Sequence, residues 1–377
     1  MADSMATEAA RPGLRRWLDS FSHGPRLVDD VECAASVLLA ILFAHLVGAQ
    51  NVSWAAFSGY MVMRGHIADT LLRGFLRIVG TGCGGALALF IVPVVAPSLP
   101  LSILAIAVIG GVSMYGALTA RRAYAWLFVG LTFAMILLDQ IEHPNHALKG
   151  FVETRMLEVV AGTCACIVIG ILSSLTLRRR WPGTRLPPAP RIGWHLQAAG
   201  HAAEAAFALA LLLIVWRLFA LPELAQGAVS IMAVMLIPIS SIGVGGFKLV
   251  SRKLMLRFLG CLIGGVVAAG VLFAAHGSAP ILIVATAIGV LIGRHIENGS
   301  HGLTYIGTQF TLAILVTLVP DNYADAAIRP ALERLVGILA GTAVLEPVLI
   351  ISYLLYLWSG SSQPAPVAKS SDDPANE

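Results

Sequence analysis

Charged residues are scarce in this chain. Asp, Glu, Lys and Arg make up only 12% of its 377 residues, against roughly 25% in soluble globular domains. Hydrophobic residues make up 57%, and the mean hydropathy is +0.82. A chain with so little charge cannot cover its folded surface with polar groups in water. The composition therefore excludes an ordinary soluble domain. It predicts a multi-pass membrane protein whose surroundings are lipid and which has no nucleic-acid partner.

The sequence signatures of catalysis are also missing. The chain has no P-loop, nucleophile elbow or HExxH motif, so we predict that it is not an enzyme and has no ATP site of its own. Its first 30 residues lack the apolar core of a signal peptide. Its five cysteines lie in apolar segments without zinc-site spacing, which predicts packing residues, no metal site and no cofactor. They are Cys33, Cys83, Cys164, Cys166 and Cys261.

Apolar segments recur along nearly the whole chain and predict an all-α fold. Twelve of them approach the ~20 residues that a helix needs to cross the hydrocarbon core. The second segment of each half is short, which leaves ten crossings plus two re-entrant pieces as an alternative. The segments are 31–49, 52–64, 76–96, 99–119, 123–140, 156–177, 199–221, 225–243, 257–275, 279–293, 303–319 and 332–357.

Basic residues cluster in every second connection between these segments. When the N-terminus is placed inside, the inside connections carry Lys and Arg, as at Arg121 and Arg122. The outside connections, such as "DQIEHPNH" at 139–146 and "VPDNYADAA" at 319–327, are acidic or rich in Pro. The positive-inside rule therefore predicts that both termini are cytoplasmic.

Several phrases occur once in each half of the chain. "RGFLRIVGTGCGGALA" at 73–88 matches "KLMLRFLGCLIGGVVA" at 253–268, and "RMLEVVAGT" at 155–163 matches "RLVGILAGT" at 334–342. Halves with six spans each share one orientation, which predicts two parallel repeats. The predicted organisation is a cytoplasmic N-terminal segment, repeat one, a cytoplasmic linker, repeat two and a disordered cytoplasmic tail, at 1–30, 31–177, 178–198, 199–357 and 358–377.

Three of these features together resemble one family. They are the Trp-bearing second span "SWAAFSGYMVMRG", the R-x-x-G-x-x-x-GG phrase of the third and the R-x-x-x-x-x-AGT phrase of the sixth. In this order they are similar to the fusaric acid resistance / aromatic acid exporter (FUSC) family, over 25–357. The resemblance implies two six-helix halves in the cytoplasmic (inner) membrane. It also implies export of aromatic or other small organic acids, often beside a periplasmic adaptor protein. The soluble middle region of larger members is missing here.

Four repeated arginines are the first candidates for binding an organic anion. Arg77 and Arg257 are predicted to open the third span of each half, just before glycines that predict close helix packing. Arg155 and Arg334 begin the sixth span of each half at the predicted outer side, where basic residues are rare. A guanidinium binds a carboxylate through two parallel hydrogen bonds. The alternatives are topology signals for the first pair and local pairing with Glu153, Glu158 or Glu333 for the second.

Aromatic and acidic residues complete the predicted site. Trp54 and Phe57 are one helical turn apart and could stack on an aromatic ring, with Tyr60 further along, although belt residues at the membrane interface give the same pattern. Ionisable residues inside membrane spans are functional candidates, because burying a charge in lipid is costly. The candidates for proton coupling are Glu32, Glu204, His45 and Glu346, and local pairing at the interface is the alternative.

These observations support three functional hypotheses. The first is a secondary transporter that exports small aromatic or other organic acids and uses the proton gradient. The second is a passive organic-anion channel in which the same arginines form a selectivity ring. The third is a membrane assembly protein without transport. A periplasmic adaptor and a second copy of the chain are the predicted protein partners.

Overall fold

The computed structural model describes residues 24–185, 187, 192–219, 223–242, 244–299 and 302–358. The regular secondary structure of the described part is helical, and this part contains no strand. Most of the predicted N-terminal segment, part of the linker and nearly all of the predicted tail lie outside the described residues.

Six helices lie on each side of the linker. The first half contains α1 to α6, which are Gly24–Leu46, Val52–Val62, Ile67–Val95, Leu99–Thr119, Ala123–Glu142 and Leu148–Leu175. The second half contains α7 to α12, which are Leu196–Phe219, Leu224–Met235, Val244–Ala275, Ala279–Glu297, Thr304–Leu318 and Arg329–Trp358. A single helical turn, Leu177–Arg180, follows α6.

Eight of these helices are long and apolar enough to cross a membrane, which makes the chain a multi-pass membrane protein. They are α3, α4, α5, α6, α7, α9, α10 and α12. The helices α2 and α8 have 11 and 12 residues, and at ~1.5 Å per residue each covers only about half of a ~30 Å hydrocarbon core. The count of twelve complete crossings therefore remains a prediction.

The outer surface of the bundle is apolar where the long helices turn away from their neighbours. Phe90 in the last two turns of α3 is 81% exposed, and Phe273 in the last turn of α9 is 82% exposed. Large exposed apolar side chains of this kind are unfavourable in water and suited to lipid tails. The polar groups of the bundle are instead concentrated inside it and at its two ends.

Glycines bring the third helix of each half into close contact with the fifth. A methyl group at Gly80 or Gly84 would lie 2.5–2.6 Å from the backbone oxygens of α5. One at Gly260 or Gly264 would lie 2.6–2.8 Å from those of α11. The predicted packing role of these glycines is therefore confirmed.

Helix packing follows the same pattern in both halves. The first three helices of each half pack against its last helix, so α1, α2 and α3 contact α6, and α7, α8 and α9 contact α12. Between the halves, α4 packs against α7, and α10 packs against α1.

We use "upper end" for the end of the bundle at which α6 and α12 begin. The "lower end" is the one at which α3 and α9 begin.

Four helix starts differ from the sequence prediction by more than one turn. Helices α1, α3, α6 and α9 begin about two to four turns earlier than predicted, at Gly24, Ile67, Leu148 and Val244. Their first turns contain polar residues, so hydropathy alone places the beginning of each segment too late. Arg77 and Arg257 consequently lie well inside α3 and α9 instead of opening them. Asp139, which the sequence placed in a loop, lies in the last turn of α5.

Candidate functional site

A cavity of about 620 Å³ lies between the two halves at the upper end. Its walls come from the starts of α2, α6, α8 and α12, the end of α5 and the connection after α11. Among the residues that line it are Trp54, Arg155, Glu158, Glu223, Gln226 and Arg334. Three of the seven residues predicted to bind substrate therefore line one space.

Arg155 lies in the second turn of α6 and is 8% exposed. Its Nη1 donates to Oε2 of Glu158 over 2.8 Å, and its guanidinium lies 3.7 Å from the centre of the Trp54 ring. The predicted local alternative, pairing with a nearby carboxylate, therefore holds for this arginine. The paired guanidinium still lies at the cavity wall, over the face of an aromatic ring.

Arg334 occupies the equivalent position in α12 but has no carboxylate partner among the described residues. Its Nε contacts the sulfur of Cys261 at 3.3 Å, and its Nη2 donates to Oε1 of Gln309 over 3.2 Å. Glu333, the neighbour predicted to pair with it, pairs with Arg329 instead. A buried guanidinium with only neutral partners retains an uncompensated positive charge.

An aromatic pair connects the two arginines across the halves. Trp54 and Phe57 on α2 pack edge to face with their ring centres 5.0 Å apart. The guanidinium of Arg334 lies 5.6 Å from the Phe57 ring, and that of Arg155 lies over Trp54. The order is cation, ring, ring, cation, with one cation from each half.

Arg77 and Arg257 lie deeper in the bundle, and each donates to a serine of the short helix in its own half. Nε of Arg77 donates to Ser58 over 3.1 Å, and Nε of Arg257 donates to Ser230 over 3.2 Å. Arg77 also donates to the hydroxyl of Tyr124, and Arg257 donates to Oε1 of Gln309. The Nη2 group of Arg257 is buried and has no hydrogen-bond partner within the described structure.

Three of the four repeated arginines are thus buried without an acidic partner in the described part of the chain. Arg77, Arg257 and Arg334 are between 2% and 4% exposed, and their hydrogen bonds go to hydroxyl, amide and thiol groups. Gln309 connects two of them, because its Oε1 accepts from both Arg257 and Arg334. A small space lined by both Arg77 and Arg155 continues inward from Trp54.

The entrance to the cavity is acidic. Burial raises the pKa of the Glu223 carboxyl, and the neighbouring Glu333 carboxylate raises it further. Two further carboxylates at the upper end cap the short helices across the halves. Asp321 accepts from the backbone N–H of Val52 at the start of α2, and Glu142 accepts from that of Leu224 at the start of α8. A carboxylate of each half therefore caps the N-terminus of the short helix in the other half.

Tyr60 does not reach the cavity. Its hydroxyl donates to Glu297 at the end of α10, in a polar cluster at the lower end. In the same region Arg294 pairs with Asp29 over 2.7 Å, and His295 lies 2.8 Å from Asp30. Tyr60 follows Phe57 by almost one turn, but the short helix α2 points it towards the opposite end of the bundle.

The predicted proton-coupling residues are dispersed. Glu32 is buried at the lower end and is bonded to Arg178 and to Ser173. Glu204 occupies the equivalent place in the second half, where it is bonded to Ser352 and lies near His201. Glu346 accepts from Ser251 between α9 and α12. His45 is exposed in the last turn of α1, in keeping with the interface interpretation.

Sequence reasoning missed two residues that contact the repeated arginines. Gln309 is a polar side chain inside an otherwise apolar segment, and that contrast could have identified it. Tyr124 follows the basic connection at Arg121 and Arg122. A tyrosine at that place in the sequence is indistinguishable from an ordinary residue of the membrane interface.

Comparison with known proteins identifies the chain by family. Residues 32–185 match the fusaric acid resistance protein family, and residues 245–345 match the family described as fusaric acid resistance protein-like. No curated protein and no solved structure matches the chain. The two matches fall in the first and second halves, and the chain belongs to the fusaric acid resistance protein family.

Proposed function

We propose that this protein is a secondary efflux transporter of the cytoplasmic membrane that exports small organic acids, aromatic acids among them. Its family is one of membrane transport. The proposed binding site is the upper-end cavity, where guanidiniums suit a carboxylate and the Trp54–Phe57 pair suits an aromatic ring.

The observation that carries this proposal is the set of buried guanidiniums without acidic partners. Removing a charge from water costs several kcal/mol unless a counter-charge compensates for it. A chain with no function for Arg334 could avoid that cost with an apolar residue at the same place. A substrate carboxylate that enters the cavity supplies the missing counter-charge, and it can bind without displacing a fixed carboxylate from Arg334.

We further propose that the two halves are parallel repeats placed around this cavity. The support is a set of equivalent contacts: an arginine bonded to a serine in both halves, and a carboxylate cap on α2 and on α8. Glu32 and Glu204 add a third equivalence, because each bonds to a serine of the last helix in its half. These two carboxylates are the preferred candidates for proton coupling.

Transport in everted membrane vesicles tests the proposal. We expect vesicles that contain the wild-type chain and carry an acidic interior to accumulate labelled benzoate, and a protonophore to abolish the accumulation. The matched variant is Arg334→Gln, present in equal amount, which we expect to lose most of the uptake. Folded wild-type protein that accumulates neither benzoate nor other small aromatic acids would contradict the proposal.

The same preparation distinguishes a transporter from a passive channel. A channel equilibrates benzoate without a proton gradient and gives unitary current steps in a planar bilayer. A transporter gives no such steps. Unitary currents that disappear in Arg334→Gln would replace the transporter proposal with the channel.

A further inference from the structure

We propose that Asp139, His143 and His146 form a binding site for a divalent transition-metal ion, with Zn²⁺ as the best fit, at the entrance to the upper-end cavity. The three residues lie at the end of α5 and in the turn that follows it. One potential ligand atom from each lies within 4.8 Å of the others. The site is distinct from the guanidiniums proposed to bind substrate.

The geometry within the cluster suits a shared ion better than direct hydrogen bonds. Nδ1 of His143 lies 3.4 Å from Oδ1 of Asp139, and Nδ1 of His146 lies 3.4 Å from Oδ2. These separations exceed the ~2.7–3.2 Å of an ordinary N–H···O bond. Zinc bonds of about 2.0–2.1 Å in a tetrahedron place neighbouring ligand atoms about 3.3–3.4 Å apart. Each observed separation has the length of one edge of such a tetrahedron. The two separations involve different oxygens of Asp139, so a small rotation of the carboxylate or of one ring is needed to bring both nitrogens to an ion bound by a single oxygen.

The ring orientations and the backbone turn both place the Nδ1 atoms of the two histidines next to the Asp139 carboxylate. The imidazole rings are stacked, with their centres 4.7 Å apart and 13° between their planes, so that both turn an Nδ1 atom towards one carboxylate. Gln140 donates to the carbonyl of Pro144 and thereby holds the turn between the two histidines. Both rings are more than half exposed, so they can rotate by the small amount that an ion requires.

Imidazole nitrogen and carboxylate oxygen are the donors that zinc prefers, and three protein ligands leave a fourth position for water. Mg²⁺ and Ca²⁺ prefer oxygen ligands and should bind poorly. Asp139 and His143 also line the cavity that contains Arg155. A bound cation would therefore neutralise part of the acidic rim near the entrance.

Zinc titration of the purified full chain in lipid nanodiscs tests the site. The chain must carry a purification tag without histidine. We expect one Zn²⁺ per chain by calorimetry, and no heat with Mg²⁺ at equal concentration. His143→Asn with His146→Asn should raise the Kd for Zn²⁺ at least about 100-fold, because even outer-shell changes at zinc sites cost 10–100-fold. X-ray absorption should show two imidazole nitrogens at about 2.0 Å from the zinc.

Matched controls separate this site from adventitious binding. His276→Asn changes an exposed histidine of the second half and should leave the Kd unchanged. Without zinc, the double variant should have the melting temperature of the wild-type chain, because the two histidines that it replaces are more than half exposed. The proposal fails if the wild-type chain binds no zinc, or if the double variant binds it as tightly as the wild-type chain.

Discussion

At the scale of single residues, Arg334 differs from its repeat counterpart in having no acidic partner in the described structure. It is 2% exposed, and its hydrogen-bond partners in the described structure are the sulfur of Cys261 and the amide oxygen of Gln309. Its repeat counterpart Arg155 has Glu158. The two cations of the cavity therefore differ: one is already paired and the other is available to an anion.

Replacing Arg334 should weaken binding of an aromatic carboxylate. A hydrogen bond to a charged group contributes about 1.5–3 kcal/mol, so Arg334→Gln should raise the Kd for benzoate roughly 10- to 100-fold. Arg334→Lys should recover part of the loss, because it restores the charge but not the planar fork. Calorimetry on the purified chain measures the change.

The control for this variant is Arg329→Gln, which removes an exposed arginine at the start of the same helix. Its Kd for benzoate should remain within about twofold of wild type. Equal effects of the two substitutions would mean that benzoate binding depends on positive charge near the entrance in general, and not on the buried guanidinium of Arg334.

Trp54 should determine whether the cavity prefers aromatic acids. Its ring contacts both Arg155 and Phe57, and aromatic pairs of this kind contribute about 0.5–1.5 kcal/mol beyond the area they bury. Trp54→Leu should therefore weaken benzoate binding by roughly three- to tenfold and leave acetate binding unchanged. Trp194→Leu, at a tryptophan that is 78% exposed, is the control. Equal losses for both anions in Trp54→Leu would argue against ring stacking.

At the scale of helices, glycine spacing determines how closely α3 approaches α5. A methyl group at Gly84 would lie 2.6 Å from the carbonyl oxygen of Val129, whereas at Gly82 the nearest atom is the flexible end of Met156 at 3.8 Å. Gly84→Ala should therefore destabilise the protein by about 1–3 kcal/mol through overpacking. Gly82→Ala should be neutral or stabilising, since alanine is the better helix former.

Thermal unfolding of the two variants in the same detergent measures this difference. The comparison is sharp because both substitutions add one methyl group to the same helix, two residues apart. Similar melting temperatures would show that α3 and α5 can separate without cost, and that the packing role of the glycine stretch is wrong.

Part of this helix arrangement, and of the cavity that it forms, could be predicted from the sequence alone. The equivalence of Arg155 with Arg334 could be predicted, because a repeated phrase places both in the second turn of a matching helix. Their meeting in one cavity could not, because it depends on how Phe57 reaches across to α12. The depth of Arg77 was misjudged because hydropathy ignores the polar first turns of α3.

At the scale of the whole molecule, two of the contacts between the halves, α4–α7 and α1–α10, differ in chemistry. The α4–α7 contact is apolar, with Gly110 against Leu209 and Gly111 against Ala206. The α1–α10 contact at the lower end contains charged groups, with Asp29 bonded to Arg294 and Asp30 to His295. Asn298 donates to both of these aspartates. We call this charged contact the lower seam.

The lower seam is the contact more suited to opening. Charged groups that separate there are hydrated again by water, whereas separating α4 from α7 would expose apolar surface. An efflux cycle needs an opening towards the predicted cytoplasmic side, and the lower seam is at that side. Cys33 follows Asp29 by one helical turn and is fully buried, so its reactivity reports opening of the seam.

Arg294→Gln should therefore accelerate labelling of Cys33 by a maleimide. The substitution leaves the buried Asp29 without its closest cationic partner, and removing one member of a buried pair typically costs about 3–5 kcal/mol. We expect at least a tenfold faster reaction in a chain that retains Cys33 as its only cysteine. Arg252→Gln, at an arginine whose hydrogen bond in the described part of the chain goes to the carbonyl of Gly302, is the control at the same end.

A chain that retains only Cys261 distinguishes local opening from general unfolding. Cys261 is 1% exposed and lies beside Arg334 in the other half, so its labelling should be unchanged by Arg294→Gln. Faster reaction of both cysteines would mean that the variant loosens the whole bundle. Unchanged reaction of Cys33 would mean that the lower seam stays closed without Arg294, and the opening would then have to be sought at another contact between the halves.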